Sequence, residues 1–223
     1  MHTIVYEDWR WQHFLPLTYT RALFQLRCGM GDLLARARRL HPAPGVWCRL
    51  ALAELVAEQT LLATNHSAPA NTLLLNGRAI WHALPPIQTD AAAWVGTIGS
   101  EGLIACIWAD AKLVDALRPE TLLDEARTRA ALADLPRRDI SPCAQLCAWP
   151  WDLVLANAEC LRDDWSHLGH RGELLGQLDQ GTYILEPTAV HIGRGARLKP
   201  GAVIDAENGP VYIGERAQLM PHT

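Results

Sequence analysis

Lysine is nearly missing from this chain. Lys112 and Lys199 stand against 18 arginines in 223 residues. Any phosphate contact within the first 111 residues must therefore come from arginine, helix N-termini or backbone N–H groups. A positive charge excess is missing too. The net charge is −4 and the pI is near 6.1, so no basic face is expected and nucleic acid is not an expected partner. Long uncharged apolar runs are absent. The opening MHTIVYEDWRW fits neither a signal peptide nor a membrane span, and nothing later reaches membrane length. Six cysteines are scattered, and Cys143 and Cys147 lack a matching Cys/His pair at zinc spacing. They read as reduced thiols of a cytoplasmic protein. No Ser/His/Asp pattern is present. His167 and His170 sit three apart near the end of a polar helix, without ligand spacing.

What is present falls into three textures. Up to about residue 115 the pattern is mixed. HTIVYED reads as a strand, and GMGDLLARARRLHP as a helix closed by Pro42. RLALAELVAEQTLL has helical periodicity, and NTLLLNGRAI reads as an apolar strand ending in a turn. AWVGTI and GLIACIWAD read as two strands joined at Gly99–Gly102. Alternating strands and helices predict an α/β sheet covered on both faces.

From about 110 to 168 the chain reads as helical. Pro119, Pro136, Pro142 and Pro150 separate the segments, and Asp152 stands near the start of the last one. From Tyr183 a six-residue beat begins, with Ile192, Leu198 and Ile204 on the beat. After an excess at Asn208-Gly209-Pro210 it resumes with Ile213 and Leu219. Such a beat predicts a parallel β-helix, aliphatics pointing inward and Gly or Ala at the corners. About two coils fit before residue 223, fewer than a solenoid needs, so the natural protein is expected to continue. The expected domains are 1–182 and 183–223.

Four stretches carry a resemblance. They are LPLTYTRALFQLRCGMGDLL (15–34), LLLNGRAI (73–80), WDLVLANAECLRDDW (151–165) and GPVYIGERAQL (209–219). The chain resembles sugar nucleotidyltransferases with a C-terminal left-handed hexapeptide β-helix, the UDP-N-acetylglucosamine pyrophosphorylase/glucosamine-1-phosphate acetyltransferase-like group. The resemblance implies a Rossmann-like domain, a nucleoside triphosphate (UTP or dTTP) and a sugar 1-phosphate as substrates, Mg2+, and a role in cell-envelope biosynthesis. It implies a homotrimer for a longer protein; two coils alone predict a monomer or weak oligomer.

The chemistry so implied requires cations on the triphosphate, backbone donors and oxygen ligands for the metal. Arg21 and Arg27 are the candidate catalytic residues, since guanidinium matches phosphate oxygens bidentately. They would follow a strand and meet a phosphate at a helix N-terminus; the alternative is surface arginines paired with Glu7 or Asp8. Thr18, Thr20 and Gly29 complete that segment. The family's glycine-rich loop and its key lysine are not matched, because no Gly precedes Gly29. At the family's LxGD-like turn this chain has Asn76, Gly77 and Arg78, with Arg78 expected on a phosphate; the alternative is a plain strand-end turn. Asp110 and Asn157 are the candidate metal ligands, with helix capping the alternative for Asp110. Trp9 and Trp11 are either core fillers or base-stacking groups. Two further readings stay open. One is a non-catalytic nucleotide or sugar-phosphate binder. The other is the first part of a β-helix acyltransferase whose active coils lie further on.

Overall fold

The structure is a computed structural model that describes residues 1–87, 92–169 and 171–223; His170 lies outside them. HTIVY forms β1 (His2–Tyr6). A small hairpin follows, β2 (Arg27–Cys28) against β3 (Gly31–Asp32), and leads into α1 (Leu33–Leu40). Next come β4 (Gly45–Trp47), α2 (Ala53–Thr60), β5 (Thr72–Asn76) and β6 (Ala79–Trp81). β7 (Trp94–Ile98) and β8 (Leu103–Ala109) form the expected hairpin, turning where Gly99 and Gly102 take positive φ. After α3 (Ala111–Ala116), α4 (Pro119–Leu122) and α5 (Glu125–Ala131) come two short strands that helical periodicity did not foretell. These are β9 (Arg137–Asp139) and β10 (Ala144–Leu146); α6 (Pro150–His167) follows.

β4, β1, β5, β8, β7 and β9 form one sheet in that order. β1 runs parallel to β4 and β5, β8 runs antiparallel to β5 and β7, and β9 is parallel to β7. The β5 run is apolar throughout because the sheet is covered on both faces. Leu73 and Leu75 point into one core with Val5, Val46, Trp94 and Trp108, under α1 and α2. Leu74 points into the other with Ile4, Tyr6, Trp47 and Ile107, under α3, α4 and α5. The structure is thus the mixed α/β fold expected.

Residues divide into two compact units, Met1–Ala158 and Glu159–Thr223. The second unit holds three parallel ladders. β11 (Gln177–Leu178), β14 (Arg197–Leu198) and β17 (Gln218–Leu219) make the first. β12 (Tyr183–Leu185) pairs with β15 (Val203–Asp205), and β13 (Val190–Ile192) with β16 (Val211–Ile213). The on-beat aliphatics stack in register, Leu198 on Leu219 and Ile192 on Ile213, and two aliphatics off the beat join them, Leu178 on Leu198 and Ile184 on Ile204. Most form one small core. The excess Asn208-Gly209-Pro210 falls between β15 and β16, where it leaves the pairing register undisturbed.

Candidate functional site

In open α/β sheets, ligands gather beyond the carboxyl ends of the parallel strands. Here β1 leads into Glu7 and Asp8, β4 leads to Arg49, and β5 runs into Asn76-Gly77-Arg78. These residues satisfy one another. Asp8 Oδ2 accepts from Arg78 Nε at 2.7 Å and from Asn76 Nδ2 at 2.8 Å. Arg78 Nη1 donates to the Cys147 carbonyl at 2.6 Å. The Asp8 and Arg78 side chains are 0% and 2% exposed. Gly77 donates its N–H to the Tyr6 carbonyl at 2.7 Å, and a Cβ there would meet that oxygen at 2.8 Å. The Asn76-Gly77-Arg78 turn is therefore a sealed strand end. Arg78 pairs with an internal carboxylate where contact with a substrate phosphate was expected, because a guanidinium buried this deeply requires a charged partner.

Glu7 is sealed in a similar way. Its Oε1 accepts from the Leu23 N–H at 3.0 Å, and its Oε2 accepts from Arg49 N at 3.1 Å and Arg49 Nε at 2.9 Å. Burial raises the Glu7 pKa, and Arg49 and these N–H groups partly offset that rise. Sequence reading alone did not single out Arg49. Its Nη2 donates to the Thr18 carbonyl at 2.6 Å and to the Arg21 carbonyl at 3.0 Å, and its guanidinium lies 3.8 Å from the Trp11 ring centroid.

Arg21 and Arg27 are different. Both are exposed, and both line two neighbouring clefts. One cleft, about 520 Å³, has polar walls that include Gln25, Asp32, Gln59 and Thr60. The other, about 340 Å³, is walled by Leu17, Leu26, Pro150, Leu153 and Val154, with Asn157 beside them. Arg27 donates from Nη2 to the Met30 carbonyl at 2.7 Å, while the Arg21 guanidinium has no polar partner among the described residues. Gln25 bridges the wall to the chain, accepting from Ala22 N and donating to Gln59 Oε1 at 2.8 Å.

The other expected residues are placed as follows. Thr18 is buried and donates its hydroxyl to the Trp11 carbonyl at 2.9 Å, so it offers nothing to a phosphate. Thr20 is exposed and lines neither cleft. Gly29 takes φ +81° in the β2–β3 turn and donates its N–H to Asn157 Oδ1 at 2.7 Å. Arg27 lies in a hairpin, not directly before a helix. The α1 N-terminus expected to meet a phosphate is capped by Asp32, whose Oδ1 accepts from Ala35 N at 2.7 Å. Trp11 stacks under Arg49, and Trp9 packs against the core. Burial pushes the Cys48 and Cys106 thiols up to about 12, and no disulfide joins any of the six cysteines.

The candidate metal ligands do not fit a metal. Asp110 caps α3, accepting from Lys112 N, Leu113 N and Ala93 N with both oxygens. It also stands at the wrong end of the sheet: Ala109 pairs with Thr72, and Thr72 with His2, where β5 and β1 begin. The Asn157 carbonyl is engaged by Gly29. Among the described residues no three His, Cys, Asp or Glu side chains cluster as metal ligands. Asp32 is the single carboxylate lining the polar cleft.

A family model described as sugar nucleotidyl transferase matches residues 3–171. The chain belongs to that family. No curated protein matches it. Among solved structures it is similar to the CTP:phosphocholine cytidylyltransferase of Streptococcus pneumoniae, with a TM-score of 0.50 and 8% identity over 71% of this chain and 98% of that one. A Bacillus anthracis chain assigned as a glucose-1-phosphate thymidylyltransferase, in complex with a sucrose, gives a TM-score of 0.45 and 9% identity over 72% and 95%. At such identity the first likeness is one of fold. It supports the Rossmann-like reading of the sheet, and the family membership supplies the class of chemistry, nucleotidyl transfer to a sugar phosphate. No described helix of this family member is long and apolar enough to cross a membrane.

Proposed function

We propose that the chain transfers a nucleotidyl group from UTP or dTTP to a sugar 1-phosphate. The carrying observation is that Arg21 and Arg27 line both clefts at once. An oxygen of the sugar phosphate attacks the α-phosphorus. The bond from that phosphorus to the oxygen bridging to the β-phosphate breaks, and pyrophosphate leaves. Two guanidiniums between the clefts are suited to hold both polyanions and offset the charge that develops. Gln25, Gln59 and Asp32 suit the hydroxyls of a sugar, and the wall of Leu17, Leu26 and Val154 suits the flat face of a base. Mg2+ is implied by the family, but the residues predicted to hold it do not fit, and no step is routed through it.

Pyrophosphate release tests this reading. UTP, dTTP, CTP, ATP and GTP would be crossed with glucose 1-phosphate and N-acetylglucosamine 1-phosphate, with and without Mg2+, beside Arg21→Ala. Turnover with one pair, lost in Arg21→Ala, is the expected result. Nucleotide-dependent stabilisation without turnover for any pair would overturn it in favour of a binding module. The sealed Asn76-Gly77-Arg78 turn is the observation that favours that second reading.

The in-register ladders support a further reading of the second unit as coils of a left-handed hexapeptide β-helix, with pairing that begins at β11, ahead of the expected boundary at 183. With about two coils, the chain is expected to sediment as a monomer or weak oligomer. We place the protein in the cytoplasm, working on soluble nucleotide and sugar phosphate.

A further inference from the structure

The segment from Leu15 to Ala22 carries Arg21 to the boundary of the two clefts, yet it has little regular structure of its own. Its backbone turns are closed by Leu15 N to the Gln12 carbonyl and Tyr19 N to the Pro16 carbonyl. No glycine lies within it to bring backbone N–H groups against a ligand. Something else must fix where Arg21 stands. Arg49 reaches across from the end of β4 and holds the carbonyls of both Thr18 and Arg21 with one nitrogen, Nη2. Its guanidinium lies over the Trp11 ring and is held at its edge, through Nε, by the buried Glu7 carboxylate. Glu7 in turn holds Leu23 N, just past Arg21. Three fixed points therefore flank a side chain that has no protein partner among the described residues.

We infer that Arg49 and Glu7 form the positioning pair for Arg21, a guanidinium–carboxylate clamp that holds the main chain so that the Arg21 side chain meets a substrate phosphate. Neither residue touches the substrate; both act through Arg21. The inference rests on the reading of Arg21 as a phosphate ligand. Arginine is required at position 49 because three directions must be met at once. The ammonium of lysine is a point donor that cannot span Glu7, the Thr18 carbonyl and the Arg21 carbonyl while lying flat on Trp11.

A double-mutant cycle tests it. Inorganic tripolyphosphate would be titrated by calorimetry into the full chain, Arg21→Ala, Arg49→Lys and Arg21→Ala/Arg49→Lys. Thermal melts of all four would run alongside. Each single variant should weaken binding by about tenfold, the equivalent of one well-made hydrogen bond to a charged group. The double variant should bind no more weakly than Arg21→Ala, while the loss of melting temperature from Arg49→Lys persists in both backgrounds. Glu7→Gln should repeat the pattern, which keeps the test available should Arg49→Lys fold poorly. Tripolyphosphate affinity unchanged by Arg49→Lys and by Glu7→Gln would overturn the clamp alone. So would equal losses in the presence and absence of Arg21. No effect of Arg21→Ala, or no binding by the parent, would overturn the phosphate reading and the clamp with it.

Discussion

Four arginines near the carboxyl ends of the parallel strands divide into two pairs. Arg49 and Arg78 each face a carboxylate that is fully buried, with their own side chains 15% and 2% exposed. Arg21 and Arg27 are exposed, and the Arg21 guanidinium has no partner among the described residues. The cost of desolvating a guanidinium explains the difference. A buried one must be neutralised by a group the chain itself supplies, and then has little left to offer a ligand. An exposed one stays hydrated and free to exchange water for phosphate. In this molecule the internal carboxylates Glu7 and Asp8 stand where an open α/β sheet commonly receives an anion, and the guanidiniums left exposed are those of Arg21 and Arg27.

Removing Arg78 should break this comparison most severely. Arg78→Ala leaves Asp8 buried and uncompensated and frees the Cys147 carbonyl. Losing one partner of a buried pair costs about 3–5 kcal/mol, which urea denaturation would show as a large fall in midpoint. A fall no greater than that of an exposed arginine would mean that Arg78 is not sealed in solution, and would restore it as a phosphate ligand.

A smaller effect separates two carboxylates by the sign of their pH dependence. The Glu7 pKa is raised, chiefly by burial. Its favourable share of stability is therefore fully present below the unfolded pKa and is lost as pH rises through the folded one. The Asp110 pKa is lowered, first by the Leu113 N–H it caps. Its share is present above the unfolded pKa and is lost as pH falls through the folded one. As pH rises above the ordinary Glu range, Glu7→Gln should thus gain on the parent, while as pH falls below the ordinary Asp range the deficit of Asp110→Asn should shrink. Asp110→Ala should cost about 1 kcal/mol at neutral pH as a lost cap, and leave any metal dependence of turnover unchanged. Equal slopes for the two variants in urea titrations would contradict the environments described for them.

Much of the fold was legible because it rests on local pattern. β5, β7 and β8 are runs of Leu, Ile, Val and Trp long enough to announce themselves, and the Gly99–Gly102 turn needs its glycines. In the second unit the beat of Ile192, Leu198 and Ile204 marks which residues stack. β9 and β10 were hidden: three residues each, β9 fully exposed, with no period to detect. The site was legible in one respect, that Arg21 and Arg27 stand at open surface. The fate of Arg78 was not, because its partner Asp8 lies 70 residues away, and nothing in LLLNGRAI distinguishes an arginine turned inward from one turned out. Glu7 and Arg49, 42 residues apart, are hidden for the same reason.

The smallest effect on stability is expected at Arg21, and it sharpens the comparison most. Arg21→Ala removes a side chain with no protein partner among the described residues, so urea stability should change by no more than about 0.5 kcal/mol. The main-chain contacts with Arg49 involve the carbonyl of residue 21 and survive the substitution. Arg27→Ala loses the bond to the Met30 carbonyl and should cost slightly more. If nucleotide affinity nevertheless falls by about tenfold or more in each, exposed and buried arginines will have been sorted by function and stability in opposite order. A marked loss of stability in Arg21→Ala would show instead that the segment depends on that side chain to fold, and a drop in affinity could then no longer be assigned to phosphate contact.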